Sequence, residues 1–137
     1  MKVKGLAILL LFFLASCAKV DDFIADVPVN FSAPLTDPRL NRLSSIGGAA
    51  VIDGHGIAGL LVYRGANNVI VAYDRCSTVN PQQRNAVVLD DPSLTATDLV
   101  SGAKFLLMDG SPVKAPAVVG LKRYSARIAG NNLVITN

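Results

Sequence analysis

The chain has 137 residues, of which 51% are hydrophobic, with thirteen basic and ten acidic side chains. That length suits one domain and little more. Setting aside Lys2 and Lys4, eleven basic residues face ten acidic ones, all of them Asp. No basic run interleaved with aromatics appears, so a nucleic-acid partner is not expected.

The first residues account for much of the hydrophobicity. Met1-Lys2-Val3-Lys4 is a short basic start, and Gly5 to Leu14 is almost wholly apolar. About ten residues are too few to cross a hydrocarbon core of roughly 30 Å as a helix. A charged start, a short apolar stretch and small residues behind it are the marks of an export signal. The stretch closes on Leu14-Ala15-Ser16-Cys17, which resembles the bacterial lipobox. The resemblance implies removal of residues 1–16 and acylation of Cys17, with the lipid anchor making the membrane a partner. Each buried CH₂ contributes about 0.8 kcal/mol to membrane affinity, so the two or three chains of a processed lipoprotein anchor stably. Lys19-Val20-Asp21-Asp22 looks like the acidic export signals of some Gram-negative lipoproteins. Outer-membrane localisation is therefore expected, with the leaflet left open.

Residues 17–27 are polar and acidic, and predict a flexible tether. The domain is expected over 28–137. Val29 to Ser32 is a strand candidate with alternating apolar residues. Leu40 to Leu43 could make one helical turn, with Pro38 just inside its start and Asp37 as its cap.

From Gly48 the pattern becomes β. Ala49 to Ile52 leads to the turn signal Asp53-Gly54. Strands follow at Ile57 to Arg64 and Val69 to Asp74, joined by Gly65-Ala66-Asn67-Asn68. Val87 to Leu89 ends at Asp90-Asp91-Pro92, and Leu94 to Thr97 pairs back. Lys104 to Met108 runs into Asp109-Gly110-Ser111-Pro112. Leu121 to Ile128 and Leu133 to Thr136 close the chain as a hairpin. Asn67-Asn68 and Asn131-Asn132 are read as turns that tolerate positive φ. Recurrent turns and the lack of a long helical period predict an all-β, antiparallel sandwich or barrel of hairpins.

With Cys17 on lipid, Cys76 is the one thiol left, so no internal disulfide is expected. One Cys and the lone His55 do not make a structural zinc site, which takes four ligands. His55 is read as a solvated turn residue. The spacing of Asp90, Asp91 and Asp98 matches no calcium loop. The glycines at 47, 48, 54, 56 and 59 are not followed by a helix, which excludes a dinucleotide fingerprint.

An ordered set of segments carries a resemblance. Residues 56–64 read Gly-Ile-Ala-Gly-Leu-Leu-Val-Tyr-Arg, and 71–76 read Val-Ala-Tyr-Asp-Arg-Cys. Ser-Gly-Ala-Lys-Phe (101–105), Asp-Gly-Ser-Pro-Val (109–113), Ala-Pro-Ala (115–117) and Leu-Lys-Arg-Tyr (121–124) follow. Residues 46–137 thereby resemble a Rieske-type 2Fe–2S domain, in particular the small Rieske-like lipoproteins of Bacteroidetes-type bacteria. The resemblance implies two loops at a cluster-binding tip, with Cys-x-His in the first and Cys-x-x-His in the second. Two Cys hold one iron and two His the other. Here Thr78 stands at the first His position. Counting back from Gly102-Ala103-Lys104-Phe105, Asp98 stands at the second Cys position and Ser101 at the second His position. Cys76 alone matches the pattern. Hydroxyls do not replace soft thiolate and imidazole ligands, so a Rieske-like fold without its cluster is expected, and no other cofactor.

Three functions follow from this reading. The first is a cluster-free binding or structural lipoprotein, with loops 76–85 and 98–104 facing an envelope protein partner. The second is electron transfer, as the family resemblance implies. The third is an enzyme using Cys76, whose neighbour Arg75 could lower its pKa. That third reading lacks a base near the thiol in sequence.

Overall fold

In a computed structural model, residues 24–137 are described; the signal segment, Cys17 and tether residues 18–23 lie outside the described residues. Ten strands occur: β1 (Asn30–Pro34), β2 (Ala49–Ile52), β3 (Leu60–Arg64), β4 (Ile70–Asp74), β5 (Val88–Leu89), β6 (Thr95–Thr97), β7 (Lys104–Leu106), β8 (Pro112–Lys114), β9 (Arg123–Ala129) and β10 (Asn132–Thr136). They form a six-stranded sheet, β1-β10-β9-β4-β3-β2, and a four-stranded sheet, β5-β6-β7-β8. All neighbouring strands are antiparallel. The all-β expectation holds. Among the described residues no helix is long and apolar enough to cross a membrane.

The unbroken apolar runs of β3 and β4 follow from burial on both faces. Leu60, Val62, Ile70 and Ala72 point into one core with Phe31, Leu40, Leu43, Ile52, Leu133 and Ile135. Leu61, Tyr63, Val71 and Tyr73 point into a second core with Val87, Ala96, Phe105, Leu107 and Leu121. The second core joins the large sheet to the small one.

The first core is closed by a 3-10 helix, Pro38–Ser44, which buries Leu40 and Leu43. Asp37 caps it by accepting from the Arg39 amide at 2.9 Å, and Pro38 needs no amide partner at its start. The element is longer than the single turn expected from Leu40 to Leu43.

Strand bounds shift from the sequence reading at several places, among them the start of β9 at Arg123 where Leu121 was expected, and three departures are instructive. The strand expected from Ile57 begins at Leu60, because the amides of Ile57 and Ala58 bond the Asp74 carboxylate at 2.6 and 3.1 Å. The strand expected to reach Met108 ends at Leu106, where Gly110 donates its amide to the Leu106 carbonyl. In the last hairpin the positive φ belongs to Gly130 (61°), and Asn132 already lies in β10. Asn67 and Asn68 do take positive φ, at 55° and 59°.

Packed chain also begins before Pro28. Ile24 is buried, Asp26 pairs with Lys122 at 2.7 Å, and the Asn137 amide donates to the Val27 carbonyl at 3.0 Å.

Candidate functional site

The cysteine loop leaves β4 directly after Asp74. Arg75 and Val87 bond across its neck (2.7 Å), Cys76 and Ala86 form an isolated bridge, and Ser77 donates to the Asn85 carbonyl at 2.8 Å. A short 3-10 turn, Pro81–Gln83, folds the loop back, flanked by Asn80 and Arg84 in left-handed backbone. The fold thus closes the loop over the cysteine.

Cys76 is buried, and its thiol points at the carbonyls of Ser77 and Pro81, each 3.6 Å away. Burial, with the nearby Asp74 charge, pushes this thiol up to about 11, a rise that Arg84 opposes without cancelling. The thiol is therefore protonated at neutral pH, and a thiol is a poor nucleophile and a poor metal ligand in that state. A cavity of about 160 Å³ lies beside it, lined by Ile24, Ala25, Ile57, Pro81 and Arg84.

Thr78 is buried, and its hydroxyl donates to the Val119 carbonyl at 2.6 Å. The second loop begins after β6. Asp98 is fully buried, and its carboxylate accepts from the Val100 amide (2.9 Å), the Ser101 amide (3.4 Å) and the Ser101 hydroxyl (2.8 Å). Burial works to raise the Asp98 pKa, but hydrogen bonds from Ser101 and Ser77 and from two backbone amides outweigh it. The carboxyl stays below the usual aspartate value. Ser101 Oγ also accepts from the Ala103 amide at 3.2 Å, and Gly102 closes the turn at φ 78°.

The structure therefore brings Cys76, Thr78, Asp98 and Ser101 to one end of the molecule, with Ser77 of the first loop near enough to Asp98 to help lower its pKa. Each polar side chain of the four is directed to a partner in the protein. Among the described residues no group of three or more His, Cys, Asp or Glu is placed to hold a metal ion.

His55 lies in neither loop. It is half-buried, with its ring edge-on to Phe31 at 5.3 Å, and so differs from the solvated turn residue expected.

Two features were not singled out from the sequence. Asp74 is fully buried and holds the base of the site together: besides Ile57 and Ala58 it accepts from the Cys76 amide and the Tyr124 hydroxyl, each at 2.8 Å. A third loop, 115–120, joins the tip through Val119. Its uncharged sequence Ala-Pro-Ala-Val-Val-Gly was the available signal.

No protein-family model matches the sequence, and comparison with curated proteins gives no match. Solved structures do match. The chain is similar to a cyanobacterial plasma-membrane Rieske protein from Synechocystis, with 20% identity and a TM-score of 0.57 over 80% of this chain and 98% of that one. It is similar to the ferredoxin of carbazole 1,9a-dioxygenase from Nocardioides aromaticivorans, with 20% identity and a TM-score of 0.50 over 80% and 97% of the two chains. A ferredoxin from Sphingomonas yanoikuyae gives 16% identity and a TM-score of 0.50 over 70% and 93%. At such identities the likeness concerns architecture, and that architecture is a Rieske-like β fold.

Proposed function

We infer that this chain is an exported envelope lipoprotein, anchored through Cys17, whose Rieske-like scaffold has lost its iron–sulfur cluster and serves as a binding or structural module. One observation carries the reading: the four positions at the tip offer one protonated thiol, two hydroxyls and one carboxylate, all engaged with the protein itself. A Rieske cluster takes two thiolates and two imidazoles. The residues present do not fit that group. Making Thr78 or Ser101 a ligand would also break the bonds that close the tip.

The lipobox and the acidic residues after Cys17 support export and an outer-membrane location. The lipoprotein type known from Bacteroidetes remains the kind of protein that this sequence resembles. A thiol-dependent enzyme is not supported, because Cys76 is buried and its thiol is held protonated.

Electron transfer is the competing reading, favoured by the likeness to ferredoxins. Iron and acid-labile sulfide analysis of freshly isolated, anaerobically handled protein separates the two. The expected result is a colourless sample with substoichiometric iron. A brown sample with two irons and two sulfides per chain would replace this reading with electron transfer.

A further inference from the structure

We propose that the tip seats on a lipid bilayer, the same bilayer that carries the chain's own anchor. The proposal rests on lipid attachment at Cys17 and names the occupant of the tip surface.

Three loops meet at this tip: the Thr78 hydroxyl bonds the Val119 carbonyl, and Ser77 lies near Asp98. They hold aliphatic side chains out in water: Leu99 is 74% exposed, Val100 73%, Val118 81% and Val119 44%. Their backbones are fixed from below, so these side chains can enter an apolar phase with little further loss of backbone entropy. Asp98 is buried and hydrogen-bonded, and Lys104 is paired with Asp90 at 2.9 Å. Arg84 is exposed and, among the described residues, is in no ion pair. An apolar knob on a tip that also carries this cation, at the cavity beside Cys76, suits an anionic lipid surface.

The position of the anchor selects lipid over protein. Tyr73 pairs with Arg123, Ser125 with Thr136 and Thr136 with Asn30. The end of β4, the start of β9, the end of β10 and the start of β1 therefore share one end of the large sheet. The cysteine loop leaves from that end, and the N-terminal segment arrives there: Ile24 and Ala25 line the cavity beside Cys76, Pro81 and Arg84. Six residues, 18–23, separate Cys17 from Ile24. At about 3.3–3.6 Å per residue, the acylated cysteine lies within about 25 Å of this cavity. The bilayer is thus held close to the aliphatic loops, at high effective concentration.

The chain contains no Trp, so a single introduced Trp reports its own surroundings. Val118→Trp and, at the far hairpin, Asn131→Trp would each be made in the full lipidated protein. Each is then placed in vesicles of phosphatidylethanolamine and phosphatidylglycerol with brominated acyl chains. Mass spectrometry first establishes whether Cys17 carries the acyl chains. Absent acylation would remove the lipoprotein reading and, with it, the basis of this proposal. With acylated protein, the expected result is at least twofold quenching and a blue shift for Val118→Trp, with neither for Asn131→Trp. Adding Leu99→Ser and Val100→Ser should reduce the quenching at least threefold. Unquenched Val118→Trp in acylated protein would overturn the proposal. So would a blue shift seen only after envelope proteins are added, which would assign the tip to a protein partner.

Discussion

The hydroxyl of Tyr124 donates to the Asp74 carboxylate at 2.8 Å, across the junction of β4 and β9. The same carboxylate takes the amides of Ile57, Ala58 and Cys76. One buried group thereby ties together a sheet, the loop before β3 and the neck of the cysteine loop. Burial and the bond to Asp74 raise the Tyr124 pKa, so this hydroxyl remains a donor at any physiological pH.

Asp74→Asn replaces one acceptor oxygen with a donor that faces other donors. The expected cost is about 3 kcal/mol, since buried donors are left unpaired, and a fall in Tm of about 10 °C. Tyr124→Phe removes one donor of four and should cost about 1 kcal/mol. Thermal denaturation of the two variants checks the ranking. Equal losses would show that Asp74 is not the centre of this network.

Cys76 makes a pH-dependent prediction. Its thiol is held up to about 11, mainly by burial, whereas in the unfolded chain it titrates near 8.5. Between those values the native state binds more protons, so stability falls as pH rises; below about 8.5 the contribution is fully present. Tyr73, raised to about 12 by burial, adds to the same trend. From about pH 8 to about pH 10.5, Cys76→Ala should lose about 2 kcal/mol less than the natural chain does. Urea denaturation at the two pH values measures this. The same protonation predicts alkylation by iodoacetamide at pH 8 at least about a hundredfold slower in the native than in the unfolded protein.

How far the sequence disclosed this arrangement depends on the range of the contacts involved. The β3–β4 hairpin was readable because its signals are local: β-branched strands flank Asn67 and Asn68, which take the positive φ that the turn needs. The 3-10 helix was readable from Asp37 and Pro38 for the same reason. The loop before β3 was not, because Asp53-Gly54 suggests a tight turn. What holds residues 57 and 58 out of the strand is Asp74, seventeen and sixteen residues away. At the tip, counting residues from Asp74-Arg75-Cys76 and from Gly102 placed the two loops. The third loop stayed hidden, because the Thr78–Val119 bond spans 41 residues and the uncharged run at 115–120 does not by itself name its partner.

The second loop gives an acid-side prediction. Asp98 has its pKa lowered from 3.8, with hydrogen bonds from Ser101 and Ser77 outweighing burial. The carboxylate form therefore contributes stability above that pH, and this is lost as pH falls through the native value. Ser101→Ala should cost about 1–2 kcal/mol at neutral pH. That difference from the natural chain should shrink as pH falls below 3.8, where the partner takes up a proton. A penalty of the same size at low pH would mean that Ser101 acts through packing.

Two glycines separate backbone strain from steric conflict. Gly102 and Gly110 share a φ of 78°. A Cβ at Gly102 meets nothing within 4 Å, whereas one at Gly110 would lie 2.7 Å from Cε1 of Tyr73. The Tyr73 ring is not free to retreat: it is buried, and its hydroxyl donates to the Leu107 carbonyl at 2.9 Å. Gly102→Ala should therefore cost about 1 kcal/mol, from positive φ alone. Gly110→Ala adds overpacking in the second core and should cost about 3 kcal/mol. The difference should appear in Tm as about 5–10 °C. Similar Tm values for the two variants would show that Tyr73 yields, and that the junction of the two sheets is softer than its hydrogen bond implies.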